Sequence, residues 1–418
     1  MYQVNPRVFA QSECFKAVEQ HLDSIKALGA NVVWFMPICE TGQLNAKNSP
    51  YCVKNYTAVN PEFGTLEEFK SVIEACHRRG MIVIMDWVAN HTSWDNQWIY
   101  DHPEWYTHDE YNAIIWPEGT NWEDVADLNF DNHEMRQAMI DAMKWWVTEV
   151  GINGFRCDAA DFVPFDFWKD CLEQLRAIPD HKLLMLAEGA RKDHFAAGFE
   201  MNYAWEYMSV LRRVYGNFGP STGMPDAGRR HFGPTPASAL FAADSSEYAG
   251  VPDGCVKLRF TTNHDESDKM SPVREFHGER GSMAAFVTAA FMHGGVLVYG
   301  SQEVAYPGRI NFFHYVPIDW NANGDIYAEY QKLISIYNSH EALRYGSIVP
   351  YPDNSVLAFD RQCDAGKVFV AVNLTQEWAQ FTLPEAWSGK KVKDLMTGKT
   401  VKLNDKLNLD PFEYFIFE

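Results

Sequence analysis

Four acidic residues in this chain each stand at the end of a short apolar or β-rich run. Met81 to Met85 leads into Asp86, Gly154 to Cys157 into Asp158, Leu183 to Ala187 into Glu188, and Lys257 to Thr261 into Asn263-His264-Asp265. Carboxylates gathered in one pocket raise one another's pKa, a strain that a purely structural protein has no reason to carry. The arrangement suits a reaction that needs one ionised carboxylate and one held protonated near neutral pH, as cleavage of a glycosidic bond does. Residues i and i+2 of a strand share a face, so Arg156 and Asp158 point the same way. A guanidinium beside a carboxylate keeps it ionised and oriented, which makes Asp158 the better nucleophile. Glu188 has no basic neighbour on its own strand and is the better proton donor. Cys157 faces away from both and reads as packing. Taken singly, a strand-end Asp is more often a helix cap than a catalyst, and His91 or His264 a satisfied polar residue. The joint pattern carries the assignment.

The elements that must position these side chains are strands alternating with amphipathic helices. LEEFKSVIEACHRRG and MRQAMIDAMKWWVTEVG each end in glycine as helices do. Val32 to Met36 and Val296 to Tyr299 complete six recognisable strand runs. This alternation predicts βαβ units and an α/β fold, a (β/α)8 TIM barrel formed by residues 1–91 and 132–342. In a parallel barrel all strand ends meet on one face, where barrel enzymes place their chemistry. Residues 92–131 hold five of the fourteen tryptophans and predict a short, loop-rich inserted domain after the third strand. Those tryptophans read as packing before sugar platforms. From residue 343 to 418 the helical pattern stops and strand-length runs predict a C-terminal all-β sandwich domain. Residues 215–236, rich in Gly and Pro, predict a long loop on one barrel face. Residues 281–301 carry no formal charge, but His293-Gly294-Gly295 divides them into a buried helix and a short strand, not a membrane span.

The chain has 418 residues with 36 basic and 56 acidic, a net charge of −20, which disfavours nucleic acid and anionic membranes as partners. Its eight cysteines are scattered without C-x-x-C pairs, so they read as reduced and mostly buried. That pattern, with no basic and apolar leader in MYQVNPRVFAQ, predicts a cytoplasmic location; export with a leader trimmed away is the alternative. Thr397-Gly398-Lys399-Thr400 is no phosphate loop, because Lys393 stands where a glycine is required. No H-E-x-x-H or G-x-G-x-x-G occurs, which argues against a zinc peptidase or a dinucleotide enzyme.

The motifs in order are Asp86-Trp87-Val88-Ala89-Asn90-His91, Gly154-Phe155-Arg156-Cys157-Asp158-Ala159, Leu186-Ala187-Glu188 and Phe260-Thr261-Thr262-Asn263-His264-Asp265, with Asp127-Leu128-Asn129 between the first two. Weaker agreement comes from Met36-Pro37-Ile38, Asn60-Pro61 and Ser301-Gln302-Glu303. Together they resemble the α-amylase family of retaining glycoside hydrolases along essentially the whole chain. The resemblance implies that Asp158 is the nucleophile, Glu188 the general acid and base, and Asp265 the carboxylate that stabilises the oxocarbenium-like transition state. It implies that Tyr51 stacks beneath the reacting sugar, His91 and His264 donate hydrogen bonds to it, Arg156 partners the nucleophile, and Asp86 supports the site. The implied substrate is a starch-type α-glucan or maltooligosaccharide, cleaved by double displacement across a gap of about 5 Å and without an organic cofactor. Asn90 and Asp127 match ligand positions for calcium. Three departures stand out: Cys52 follows Tyr51 where the family has Asp, Asp161-Phe162 replaces a Lys-His pair, and Phe9 to Phe15 lack an Asp-rich calcium loop. The alternatives within the family are an α-1,6-glucosidase or a transglycosylase, and outside catalysis an inactive glycan-binding relative.

Overall fold

The apolar runs pair with one another only in parallel. In the computed structural model, which describes residues 1–216 and 235–418, they form β1 (Tyr2–Val4), β2 (Val32–Phe35), β3 (Ile82–Trp87), β4 (Gly154–Cys157), β5 (Leu184–Ala187), β6 (Met201–Tyr203) and β7 (Val256–Arg259). The last, β8, is split at Leu297 into Gly295–Val296, which pairs with β7, and Val298–Tyr299, which pairs with β1. The ring therefore closes, with neighbours in sequence order and every pairing parallel. This is the expected barrel. β1 and β6 were not legible beforehand, because three residues carry no measurable period. β3 runs on through Asp86 and Trp87, which lie in register with Arg156 and Cys157 of β4. The expected loop over 215–236 lies almost wholly outside the described residues.

Local chemistry sets the helices between these strands. Thr65 and Glu68 form a reciprocal capping box on helix Leu66–Arg78, a device worth about 1 kcal/mol. Asn132 accepts from Glu134 N and Met135 N to start helix His133–Trp145. Both helices bury one apolar face, Phe69, Val72 and Ile73 on the first, Met135, Met139 and Met143 on the second. The uncharged stretch near the end of the barrel forms helix Glu279–Met292 and then β8. Among the described residues no helix is long and apolar enough to cross a membrane.

After β3 the chain leaves the barrel. His91–Ser93 pairs antiparallel with Val125–Asp127, and the intervening residues hold one five-residue helix, Gln97–Asp101, and little other regular structure. Trp98 packs on Tyr56 and Trp105, so these tryptophans serve packing.

Beyond the barrel, strands Ser347–Tyr351, Val356–Cys363, Gly366–Asn373 and Tyr414–Phe417 make one antiparallel sheet, accompanied by two small two-stranded antiparallel sheets. Its residues alternate between two cores. Leu357, Phe359, Val368 and Val370 join the barrel core, whereas Val356, Ala358, Phe369 and Ala371 meet Phe381, Trp387 and Leu409. Both faces are covered, which is why these strands read as apolar runs. Arg361 reaches the barrel, donating to the Phe291 carbonyl at 3.1 Å, and holds the Gly346 carbonyl of its own domain at 2.8 Å.

Gly154 opens the strand that carries Arg156 and Asp158. Its φ is +144°, and a Cβ there would stand 1.9 Å from the Leu184 carbonyl oxygen. Only glycine lets β4 lie this close to β5. We expect Gly154→Ala to destabilise the protein by at least about 2 kcal/mol in denaturant unfolding; a near-neutral change would contradict this reading of the strand.

Candidate active site

Arg156 sits at the centre of the barrel mouth with none of its surface exposed, pointing inward from the middle of β4. Its Nη1 donates to Asp86 Oδ1 at 2.6 Å and to Asp158 Oδ1 at 2.9 Å, and its Nε to the Tyr203 hydroxyl at 3.1 Å. Nη2 stands 2.8 Å from Glu188 Oε1, an ion pair without the alignment of a hydrogen bond. Trp34 and Tyr203 turn ring faces to the guanidinium, 5.3 and 5.5 Å from their centroids. One cation thus serves carboxylates from three strand ends. The expectation that Glu188 lacks a basic neighbour holds along its own strand only, because barrel closure brings Arg156 across from β4.

Burial dominates the proton affinities. It pushes Glu188 up from 4.5 to about 7 and Asp265 from 3.8 to about 6, with Arg156 opposing in both cases. Asp158 is also raised by burial, but the Arg156 guanidinium pulls it back. Glu188 is therefore the carboxyl poised to carry a proton near neutral pH. Two side-chain-to-backbone devices fix the outer pair: Ala159 N donates to Glu188 Oε2 at 2.8 Å, and Asn263 Oδ1 accepts from Asp265 N and Glu266 N at 3.0 Å each.

The cavity at this mouth has a volume of about 230 Å3 and is lined by Tyr51, His91, Asp158, Glu188 and Asp265, with Ser49, Trp122 and Asp124 on its wall. Two of the expected sugar-contacting residues, Tyr51 and His91, belong to that wall. Asp86, Arg156 and His264 lie behind it, buried to 1 % or less. The Gln3 amide donates to His264 Nδ1 at 2.8 Å, which leaves the proton on Nε2 for the Tyr51 hydroxyl at 2.5 Å; that hydroxyl donates to Asp86 Oδ2 at 3.2 Å. Burial lowers His264 to about 3, so the ring is neutral and the relay runs one way. His91, lowered to about 4 by burial, meets Trp122 edge-on at 5.6 Å. Gln3, Tyr203, Trp122 and Asp124 escaped sequence reasoning. Only Trp122 carried a signal, its place in the tryptophan-rich insert.

Asn90 and Asp127 flank the paired strands of the insert, and the Asn90 amide donates to His91 Nδ1 at 3.3 Å. The three side-chain oxygens of these two residues fall well short of the six to eight that calcium takes. Among the described residues no three His, Cys, Asp or Glu side chains gather to hold a metal. The donor set does not fit a calcium site built from side chains.

The raised carboxyls have a sign-definite consequence. Folded Glu188 keeps its proton up to about pH 7 while the unfolded chain releases it near 4.5, so its contribution is full below 4.5 and lost as pH rises through 7. Glu188→Gln, a permanent mimic of the neutral acid, should raise stability at pH 8 by on the order of 2 kcal/mol and leave it unchanged at pH 4. Denaturant midpoints at the two pH values test this, and equal effects at both would contradict it.

Comparison with known proteins agrees with the geometry. Residues 3–204 match the family model of the alpha-amylase catalytic domain, and residues 348–416 that of the maltogenic amylase C-terminal domain. Alpha-amylase MalA of Haloarcula japonica is 25 % identical, over 96 % of this chain and 58 % of its own length. Alpha-amylase 3 of Dictyoglomus thermophilum is 25 % identical, over 99 % of this chain and 92 % of its own. The crystal structure of an alpha-amylase from Lactobacillus plantarum superposes with a TM-score of 0.86 at 25 % identity, covering 100 % of this chain and 97 % of that one. Chain-long likeness, two matched domains in order and a carboxylate-lined barrel mouth lead to one conclusion: the chain belongs to the α-amylase family of glycoside hydrolases.

Proposed function

We propose that this protein hydrolyses α-glucosidic linkages of starch-type glucans or maltooligosaccharides by double displacement. The observation that carries the reading is that Asp158 and Glu188 share one guanidinium, at 2.9 and 2.8 Å, and line one cavity. Two carboxyls held by one guanidinium suit the short separation of the retaining course better than the wider gap an inverting one needs.

In the first step an Asp158 oxygen attacks the anomeric carbon while Glu188 gives its proton to the departing glycosidic oxygen, forming a glycosyl ester. In the second step Glu188, now ionised, takes a proton from water, the water oxygen bonds to the anomeric carbon, and the ester breaks to free Asp158. Asp265, across the same cavity, stabilises positive charge as it develops on the ring. Tyr51 offers its ring to the sugar's face, and His91 its ring N–H. Arg156, Asp86 and His264 act through the residues in front of them. Glu188 gives one proton to the leaving oxygen and takes one from water, so the scheme needs no organic cofactor. The net charge of −20 favours a neutral glucan over nucleic acid or an anionic membrane. Eight unpaired cysteines, six of them buried, support a reducing, cytoplasmic setting.

Asp158→Asn should lower maltooligosaccharide hydrolysis by at least roughly a thousandfold with the far-UV spectrum and melting temperature retained. A variant that folds and keeps more than a small residual rate removes Asp158 from the nucleophile's role. A chelator should leave the melting temperature unchanged, given the incomplete donor set at Asn90 and Asp127. A clear fall, restored by added calcium, would mean that main-chain oxygens and water complete a site there.

A further inference from the structure

We propose that Asp161 is a positioning residue: it ties the loop that follows Asp158 to the loop that follows Glu188 and so fixes the Glu188 carboxyl in place. This rests on the reading of Glu188 as the acid. Asp161 stands in the departure Asp161-Phe162, which the mechanism above leaves without a task.

The two loops are stitched through this side chain. Asp161 Oδ2 accepts from Ala190 N at 3.0 Å, and Oδ1 from Arg191 N at 3.2 Å, the second and third residues after Glu188. Arg191 returns the contact, its Nη1 donating to the carbonyls of Asp161 at 3.0 Å and Val163 at 3.2 Å, while Asp193 holds its Nε and Nη2 at 3.0 and 2.7 Å. Nearer the chemistry, Ala160 N donates to the Glu188 carbonyl at 2.9 Å, beside the Ala159 N–H that reaches the Glu188 side chain. The fit is close: a Cβ on Gly189 would lie 2.3 Å from Asp161 Oδ1. A carboxylate is required here because the partners are two main-chain donors, which a lysine ammonium cannot serve.

Backbone strain shows what the clamp works against. Ala159 adopts φ +42°, a left-handed conformation that side chains with a Cβ avoid, and this turn aims its N–H at Glu188 Oε2. Such a conformation persists only where the surroundings over-determine it. Asp161, two residues on, supplies that constraint through its anchorage to the opposite loop. Displacement of an acid by about 1 Å costs on the order of a hundredfold in rate, so the clamp bears on turnover more than on binding.

The test compares wild type, Asp161→Ala, Asp161→Asn and Arg191→Gln in two readouts. One is kcat and KM on maltooligosaccharides across pH. The other is the titration of Glu188 by 13C NMR of labelled glutamate carboxyls, its signal assigned by its loss in Glu188→Gln. The groups that face Glu188 are Arg156, Asp158, Asp265 and Tyr203; those that face Asp161 are Arg191, His194 and Lys257. Loosening the clamp admits water to Glu188 and weakens the burial that raises it. In Asp161→Ala its titration and the alkaline limb should therefore move to lower pH by at least about half a unit. The same variant should lose about tenfold to a hundredfold in kcat with KM within about threefold of wild type. Asp161→Asn keeps an acceptor oxygen and should fall between. Arg191→Gln, which breaks the return contacts, should reproduce the kcat loss if Asp161→Ala does not fold. Folded Asp161→Ala or Arg191→Gln with wild-type kcat and an unmoved Glu188 titration overturns the proposal. A wild type that turns over no glucan defeats the functional reading instead, and the titration still decides the clamp.

Discussion

The acidic mouth of this barrel is tenable because one buried guanidinium stands among its carboxylates. Arg156 contacts Asp86, Asp158 and Glu188 at once and has no surface exposed to water. Remove that charge, and the three carboxyls would be left mutually repelling in a low-dielectric pocket, able to coexist only by taking up protons. With it, burial and repulsion still act, but unequally. Asp158 receives an aligned hydrogen bond, Glu188 an unaligned contact and a backbone N–H. Under the proposed mechanism this difference in placement gives one residue class two roles.

The fold's task is to deliver that placement from positions far apart in sequence. Parallel closure brings β3, β4 and β5 side by side, and the strand register sets Asp86 against Arg156. Gly154 permits the close approach of β4 to β5. Gln3, from the first strand, orients His264, from the segment after the seventh. The C-terminal sheet shares one face with the barrel core and turns the other to the second core of its own domain. The site is thus built on rigid elements, with loops stitched to one another at the point where the acid must stand.

Much of this was legible in the sequence where a local rule applies. The i, i+2 spacing of Arg156 and Asp158 predicted a shared face, and a hydrogen bond joins them at 2.9 Å. Apolar runs ending in Asp158 and Glu188, and the run just before Asn263-His264-Asp265, predicted carboxylates at one mouth, and all three line one cavity. What was not legible is what closure alone creates. β1 and β6 are too short to show a period, so the partners they bring, Gln3 and Tyr203, had no signal. The contact between Arg156 and Glu188 joins two strands and could not be read from either. The same holds for Asp161, which looked like a lost lysine until the opposite loop supplied its donors.

The central claim is that Asp158 and Glu188 divide nucleophile and acid between them in one cavity, and trapping the glycosyl-enzyme tests it most directly. A 5-fluoro-α-glucosyl fluoride carries its own leaving group, and its ring fluorine slows breakdown of the ester. Mass analysis of proteolytic fragments then locates the attached sugar. This account predicts one fluoroglucosyl adduct, on the fragment containing Asp158 and absent from Asp158→Asn. An adduct on Glu188 or Asp265, or steady turnover through inversion with no adduct at all, would contradict it.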